Sequence, residues 1–323
     1  MTRRIALDAM GGDHAPDEIV AGARRAMDEV DDVEVILVGQ PDRLPDDLEV
    51  VAASEVIGMA DDPARSVRVK KDSSLVRGAE LVRDGAADAF ISAGNTGAMV
   101  AASLLRMGRI KGVARPAVAT TIPVPGSTPT VLLDSGAIAE CQPEWLVQFA
   151  QMGSAYTAHR YGLERPRVGL LSIGEEPAKG NTLVKETYPL LDELAGIDFI
   201  GNVEGRDVMT DDVDVIVTDG FTGNVVLKTL EGSLRALVSA VFGALTTEEA
   251  GDEGAAAIGH LLPLAGQMDP DSIGGAMLLG VDGVSIISHG SSSATAIVNA
   301  VATSADLVER GLVDALRSAV AKA

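Results

Sequence analysis

Short runs of Val, Ile, Leu and Ala recur along this chain, and most end in a polar turn that contains glycine. They are RRIALDAMGGD at the start, VEVILVG (33–39), ADAFISAGNTG (87–97), TVLLDSG (130–136), RVGLLSIGEE (167–176), DFIGNVEGRD (198–207), DVDVIVTDGFTGN (212–224) and VSIISHGSSS (284–293). Helix-like sequence follows most of these runs. An apolar run without polar alternation predicts a strand buried on both faces. Alternation of such strands with helices predicts βαβ units, hence an α/β protein with three α/β/α layers around a mostly parallel sheet. In such a sheet the strand-to-helix turns gather along one edge, where ligands bind. Turns far apart in the sequence are therefore expected to converge. No Pro- or Ser-rich linker and no internal repeat divides the 323 residues, so 1–323 reads as one domain.

One segment departs from the pattern. Residues 231–272 are rich in Ala and Leu around an acidic EEAGDEG, which predicts a helical hairpin projecting from the sheet. Its apolar flanks, VFGAL and IGHLLPLAG, suit contact with a partner subunit, the core or a membrane surface. No apolar run approaches the roughly 20 residues of a membrane-spanning helix, and Cys141 is the only cysteine, so no disulfide can form within the chain. A reducing, cytoplasmic setting fits that usage. The net charge of −21 argues against nonspecific nucleic-acid binding, which needs a basic face.

Familiar catalytic signatures are missing. There is no G-x-S-x-G elbow, no Walker A loop, no G-x-G-x-x-G after the first strand, and no H-E-x-x-H or paired Cys to suggest a metal. A lone cysteine such as Cys141 is more often a small buried residue than a nucleophile. What the chain offers instead is a set of turns suited to an anion. In SAGNTGA the backbone of Gly94 and Gly97 allows close approach, Ser92, Asn95 and Thr96 add donors, and a helix N-terminus follows. One such loop is equally well a capped strand-to-helix turn. HGSSS, with His289, Gly290 and Ser291, and DGFTGN, with Asp219, Gly220, Gly223 and Asn224, repeat the chemistry. GEEPAKGN adds Lys179, Gly180 and Asn181, and a lysine on a glycine turn either neutralises an oxyanion or is simply solvated. Arg206 in EGRD either grips a phosphate or pairs with Glu204 or Asp207. DAMGGDHAP adds Asp8, Gly11, Gly12 and His14. His14 and His289 are each an acid–base group or a turn residue bonded to backbone.

The ordered set DAMGGDHAP, KKDSSLV, ADAFISAGNTGAMVA, GEEPAKGN, GNVEGRD, DGFTGNVVLKTLEG and HGSSSATAIVNA resembles the PlsX-type phosphate acyltransferases of bacterial phospholipid synthesis, from about Ile5 to Val308. The resemblance implies a fold like that of phosphotransacetylases and isopropylmalate dehydrogenases. It implies transfer of an acyl group from acyl-[acyl carrier protein] to inorganic phosphate, with no cofactor or metal. It also implies a homodimer, peripheral membrane contact, and delivery of acyl phosphate to a membrane glycerol-3-phosphate acyltransferase. Lys179 would then bind phosphate or the developing charge, Asn224 would orient the carbonyl or phosphate, and His14 would complete the catalytic set. The alternatives are a phosphotransacetylase-like enzyme that uses acyl-CoA and a non-catalytic scaffold. Three features depart from the family pattern, one of them the segment IGGAMLLG with its Ile273 and Met277. The turn DSGAI carries Ile138 in a polar position, and residues 236–272 hold no Lys or Arg, which leaves the basic segment RMGRIKGVAR (106–115) as a possible carrier-docking surface.

Overall fold

The computed structural model describes residues 2–320 except 248. Its eleven strands form one sheet: β1 (Arg3–Asp8), β2 (Val33–Gly39), β3 (Val50–Ala52), β4 (Ala89–Ser92), β5 (Ala117–Ile122), β6 (Thr130–Leu133), β7 (Arg167–Leu171), β8 (Asp198–Val203), β9 (Val215–Val217), β10 (Ala276–Leu279) and β11 (Val284–Ile287). The order across the sheet is β3-β2-β1-β4-β11-β10-β5-β6-β9-β7-β8. The helices are α1 (Asp17–Glu29), α2 (Pro63–Val69), α3 (Ser74–Arg83), α4 (Thr96–Arg106), α5 (Pro143–Tyr161), α6 (Thr182–Asp192), α7 (Gly220–Leu245), α8 (Gly251–Gln267), α9 (Ala294–Glu309) and α10 (Leu312–Val320). The expected α/β layering is present. The hairpin expected over 231–272 is built by α7 and α8, and its first helix begins earlier, at Gly220.

Strand polarity differs from the expectation of a single edge. Strands β3, β2, β1, β4 and β11 are mutually parallel, β10 is antiparallel to both β11 and β5, and β6 is antiparallel to β5. β9, β7 and β8 then run parallel to β6. One half of the sheet therefore points opposite to the other. The turns after β1, β4 and β11 open at one edge, and those after β6, β9, β7 and β8 at the other. The physical reason is the three antiparallel steps in the middle, an odd number, which no local pattern announces.

Side chains alternate along each strand and feed two faces. Ile5, Leu7, Ile91, Val131, Val168 and Val215 pack with residues of α1, α5, α9 and α10 in one continuous core. On the other face, Ala6, Ile36 and Phe90 pack under α2, α3 and α4, while Leu132, Leu171 and Ile216 pack under the first turns of α7. Each large apolar side chain buried this way stabilises the fold by about 1.5–3 kcal/mol. The two clusters on this second face are separate. Val118 belongs to one and Ile122 to the other, with Thr120 between them on β5. The seam between the clusters is where the chain has room for a ligand.

Candidate functional site

The turns after β1, β4 and β11 are bound to one another. Ser92 Oγ donates to Asp8 Oδ2 at 2.7 Å, the Met10 amide donates to Asp8 Oδ1 at 3.0 Å, and the Gly94 amide donates to Ser92 Oγ at 3.0 Å. The Asp13 amide donates to the Gly290 carbonyl at 2.7 Å, and the Ser288 amide donates to the Ser92 carbonyl at 2.9 Å. A Cβ on Gly11 would lie 2.5 Å from Asp8 Oδ2 and 2.7 Å from the Gly94 nitrogen, so only glycine lets these turns touch. Asp8 is 1% exposed. Burial pushes its carboxyl above the usual carboxylate value, and hydrogen bonds from Ser74, Ser92 and the amides of Met10 and Gly11 oppose that rise. Asp8 thus clamps the turns together and does not line the cavity between the clusters.

Several other residues expected at the site are occupied structurally. Asn95 caps α4 by accepting from the Ala98 amide at 3.0 Å, and its Nδ2 donates to the Met59 carbonyl at 2.9 Å. Asn181 caps α6, and Asp219 caps α7. An N-cap and an anion-binding turn draw on the same residue types, so sequence alone does not separate them. Gly12 packs under Ala93, and Gly97 packs against Pro63. His14 is exposed.

At the opposite edge, Asp134 organises the turn that follows β6. Its Oδ1 accepts from the amides of Val118, Gly136 and Ala137, and its Oδ2 from that of Ile138 at 2.7 Å. The Gly220 amide donates to the Ile138 carbonyl at 2.8 Å, which seats the start of α7 on this turn. Asn224 stands one turn into α7, beside Gly136. Farther along, Arg206 pairs with Glu175 Oε1 at 2.8 Å and Glu204 Oε2 at 2.6 Å. The pairing reading of Arg206 is therefore the one the geometry matches.

Over the seam lies a cavity of about 1070 Å³. Of the residues expected at the site, Gly94, Thr96, Gly220, Asn224, His289 and Gly290 line it. Asp8, Gly11, Gly12, His14, Ser92, Asn95, Gly97, Lys179, Gly180, Asn181, Arg206, Asp219, Gly223 and Ser291 do not. No residue of the basic segment 106–115 lines it either. Helix α7 joins the two edges, since it starts at one turn cluster and crosses the sheet face to the other. Asn224, Lys228, Glu231 and Arg235 all reach the cavity from α7, as their spacing of three to four residues on one helical face requires. Leu227, Leu230, Leu234 and Val238 form an apolar trough beside them, and Leu262 and Met268 line the same cavity.

Lys228 is, with Arg235, a cation that sequence reasoning left out of the site. Its Nζ lies 2.8 Å from Glu231 Oε2 and 2.9 Å from His289 Nε2. An ammonium only donates, so in this contact His289 Nε2 accepts, while its Nδ1 lies 3.4 Å from Ser291 Oγ. Burial pushes the Glu231 carboxyl up, but the imidazole and ammonium beside it bring it below the usual value. The signal was present in GFTGNVVLK, where Lys228 follows Asn224 by one helical turn. Ser288 and Ser292 also line the cavity and were passed over in favour of their neighbours. Cys141 is unsuited to nucleophilic work, because burial and then the charge of Asp134 push its thiol up to about 12. Among the described residues, no cluster of three or more His, Cys, Asp or Glu is placed to hold a metal ion, and no helix is long and apolar enough to cross a membrane.

Comparison with known proteins matches residues 3–315 to a family described as fatty acid synthesis proteins. A phosphate acyltransferase of Desulfitobacterium hafniense (strain Y51) is 49% identical over 326 residues, spanning 97% of this chain and 96% of the relative. Among solved structures, a phosphotransacetylase from Streptococcus pyogenes aligns with a TM-score of 0.63 at 18% identity, covering 95% of this chain and 94% of its own. A branched-chain phosphotransacylase from Enterococcus faecalis V583 gives a TM-score of 0.64 at 16% identity, with 94% and 99% coverage. At such identity these two structures speak to the fold alone, and they agree with the phosphotransacetylase-like architecture expected from sequence.

Proposed function

The chain belongs to the fatty acid synthesis protein family, and on that premise we propose that it transfers a fatty acyl group from an acyl-carrier-protein thioester to inorganic phosphate, making acyl phosphate for phospholipid synthesis. The observation that carries this reading is one cavity with two characters. A polar end with Asn224, Lys228 and His289 adjoins an apolar trough of Leu227, Leu230, Leu234 and Leu262. A reactant that is anionic at one end of the reaction and a hydrocarbon at the other suits that combination.

Phosphate is already anionic at neutral pH, so the reaction needs no activated side-chain nucleophile. A phosphate oxygen attacks the thioester carbonyl carbon, the new C–O bond forms and an oxyanion develops. Collapse of the oxyanion breaks the C–S bond. The departing thiolate takes the proton that phosphate carried, leaving acyl phosphate and free thiol. The protein's part is to hold the two reactants in line and to stabilise the oxyanion. Asn224 orients the carbonyl through its amide. Lys179 remains a proposed contributor of charge, because its turn follows β7, the strand paired with β9 ahead of Asn224.

Two wider assignments belong to the same reading. The protein acts as a homodimer, tested by sedimentation velocity. It also meets the cytoplasmic membrane surface through the α7–α8 hairpin, where Leu237 and Leu262 are 60% and 56% exposed, and there passes its product to a membrane glycerol-3-phosphate acyltransferase. With no Lys or Arg from 236 to 272, that contact is expected to be insensitive to anionic lipid, which flotation with neutral and anionic vesicles checks. The decisive assay incubates the protein with a long-chain acyl-carrier-protein thioester. Phosphate-dependent release of free carrier protein, with a hydroxylamine-trappable acyl phosphate, is the expected result, and its absence overturns the reading. Faster turnover of acyl-CoA in the same assay would assign the donor to the coenzyme instead.

A further inference from the structure

We infer that the inorganic phosphate is held at the turn after β11, by Lys228 together with the hydroxyls of Ser288 and Ser292, and not at the 174–181 turn. The inference rests on the acyl-transfer reading above. Ser288 and Ser292 are 5% and 3% exposed, and both line the cavity. Neither Oγ meets a hydrogen-bonding partner among the described residues. Buried hydroxyls without partners are costly, and two of them on residues that line one cavity fit a ligand that supplies acceptors. A phosphate oxyanion is such a ligand, since it offers several strong acceptors within a small volume.

The turn is also rigid. Its ends are tied by the Ser288 amide to the Ser92 carbonyl at 2.9 Å and by the Asp13 amide to the Gly290 carbonyl at 2.7 Å. Lys228 brings three N–H donors, two of which are directed at Glu231 and His289, so one remains for a ligand. The neighbouring Glu231 carboxylate offsets the lysine charge at long range. Affinity here is therefore carried by directed, charge-assisted hydrogen bonds. That suits a protein whose overall charge of −21 repels anions at a distance. Phosphate at this turn lies one helical turn of α7 beyond Asn224, and the apolar trough runs beside both on the same helix.

Steady-state kinetics on the full-length protein test this, with the concentrations of inorganic phosphate and acyl-carrier-protein thioester varied separately. Lys228→Met is expected to raise KM for phosphate about tenfold or more while the donor KM stays within about twofold, and Lys228→Arg recovers part of the loss. Ser288→Ala/Ser292→Ala is expected to raise the phosphate KM in the same selective way. It is also expected to abolish the rise in melting temperature that inorganic phosphate gives the wild type. Unchanged phosphate KM in both Lys228→Met and the double serine variant overturns the inference. A rise in donor KM alone also overturns it, and would assign the turn to the phosphodiester of the carrier's pantetheine arm. Absence of phosphate-dependent turnover in the wild type would instead sink the acyl-transfer reading. The phosphate-dependent melting shift, and its loss in the serine variant, would still decide the subsite.

Discussion

Gly223 on α7 lies directly against the backbone of Asp134, so closely that a Cβ built on it would sit 1.9 Å from the Asp134 carbonyl oxygen. No rotamer relieves such a contact, because both partners are main chain. Gly223→Ala is therefore expected to push α7 off the turn that follows β6. Chemical denaturation should show a loss of about 1–3 kcal/mol, and kcat should fall with it as Asn224 leaves its place.

The trough beside the polar stripe of α7 should set acyl-chain preference. Leu234 lines it together with Leu262 and Met268. Leu234→Trp fills that space. The ratio of kcat/KM for a long-chain donor to that for a medium-chain donor should drop about tenfold, since each methylene in an apolar pocket contributes on the order of 1–3 kcal/mol of discrimination. An unchanged ratio would mean that the chain lies elsewhere.

Asp72 predicts part of the acid limb of stability. Its carboxylate accepts from Ser54 Oγ at 2.6 Å, the Ser54 amide at 3.0 Å and Arg77 Nε at 2.7 Å. The Ser54 donors first, and then Arg77, hold its carboxyl down from 3.8 to about 2. A depressed carboxyl contributes stability that is fully present above the unfolded value and is lost as pH falls through the folded one. Asp72→Asn should lower stability at neutral pH and flatten the fall between 3.8 and about 2, as urea midpoints measured across that range would show.

Cys141 supplies a control for the mechanism. With its thiol pushed up to about 12, it carries almost no thiolate at neutral pH. Cys141→Ala should keep kcat/KM within about twofold, and the wild type should resist iodoacetamide. Loss of activity on alkylation, absent in the alanine variant, would bring a covalent acyl-enzyme step back into consideration.

The strands and their turns were legible because burial on both faces leaves a local mark, an unbroken apolar run. The reversal of half the sheet was not. It follows from three successive antiparallel steps, β11–β10, β10–β5 and β5–β6, of which β10–β5 pairs residues some 160 apart in sequence. The site was legible in its loops and less so in its side chains. Asn95, Asn181 and Asp219 carried the right chemistry for an anion site, but each caps a helix. Lys228 lay hidden within a helix, where only the spacing from Asn224 marks it. Ser288 and Ser292 could be told from Ser291 only once burial was known.

Because Asn224 and Lys228 share one unbroken helix, their separation is fixed at roughly 6 Å by the helical rise. Two groups on separate loops would each have to be immobilised when substrates arrive. Here that ordering is completed as the chain folds. The helix acts as a ruler that holds the amide and the ammonium at one fixed spacing, and lengthening or shortening it by one residue before Lys228 would rotate the ammonium about 100° away from the cavity.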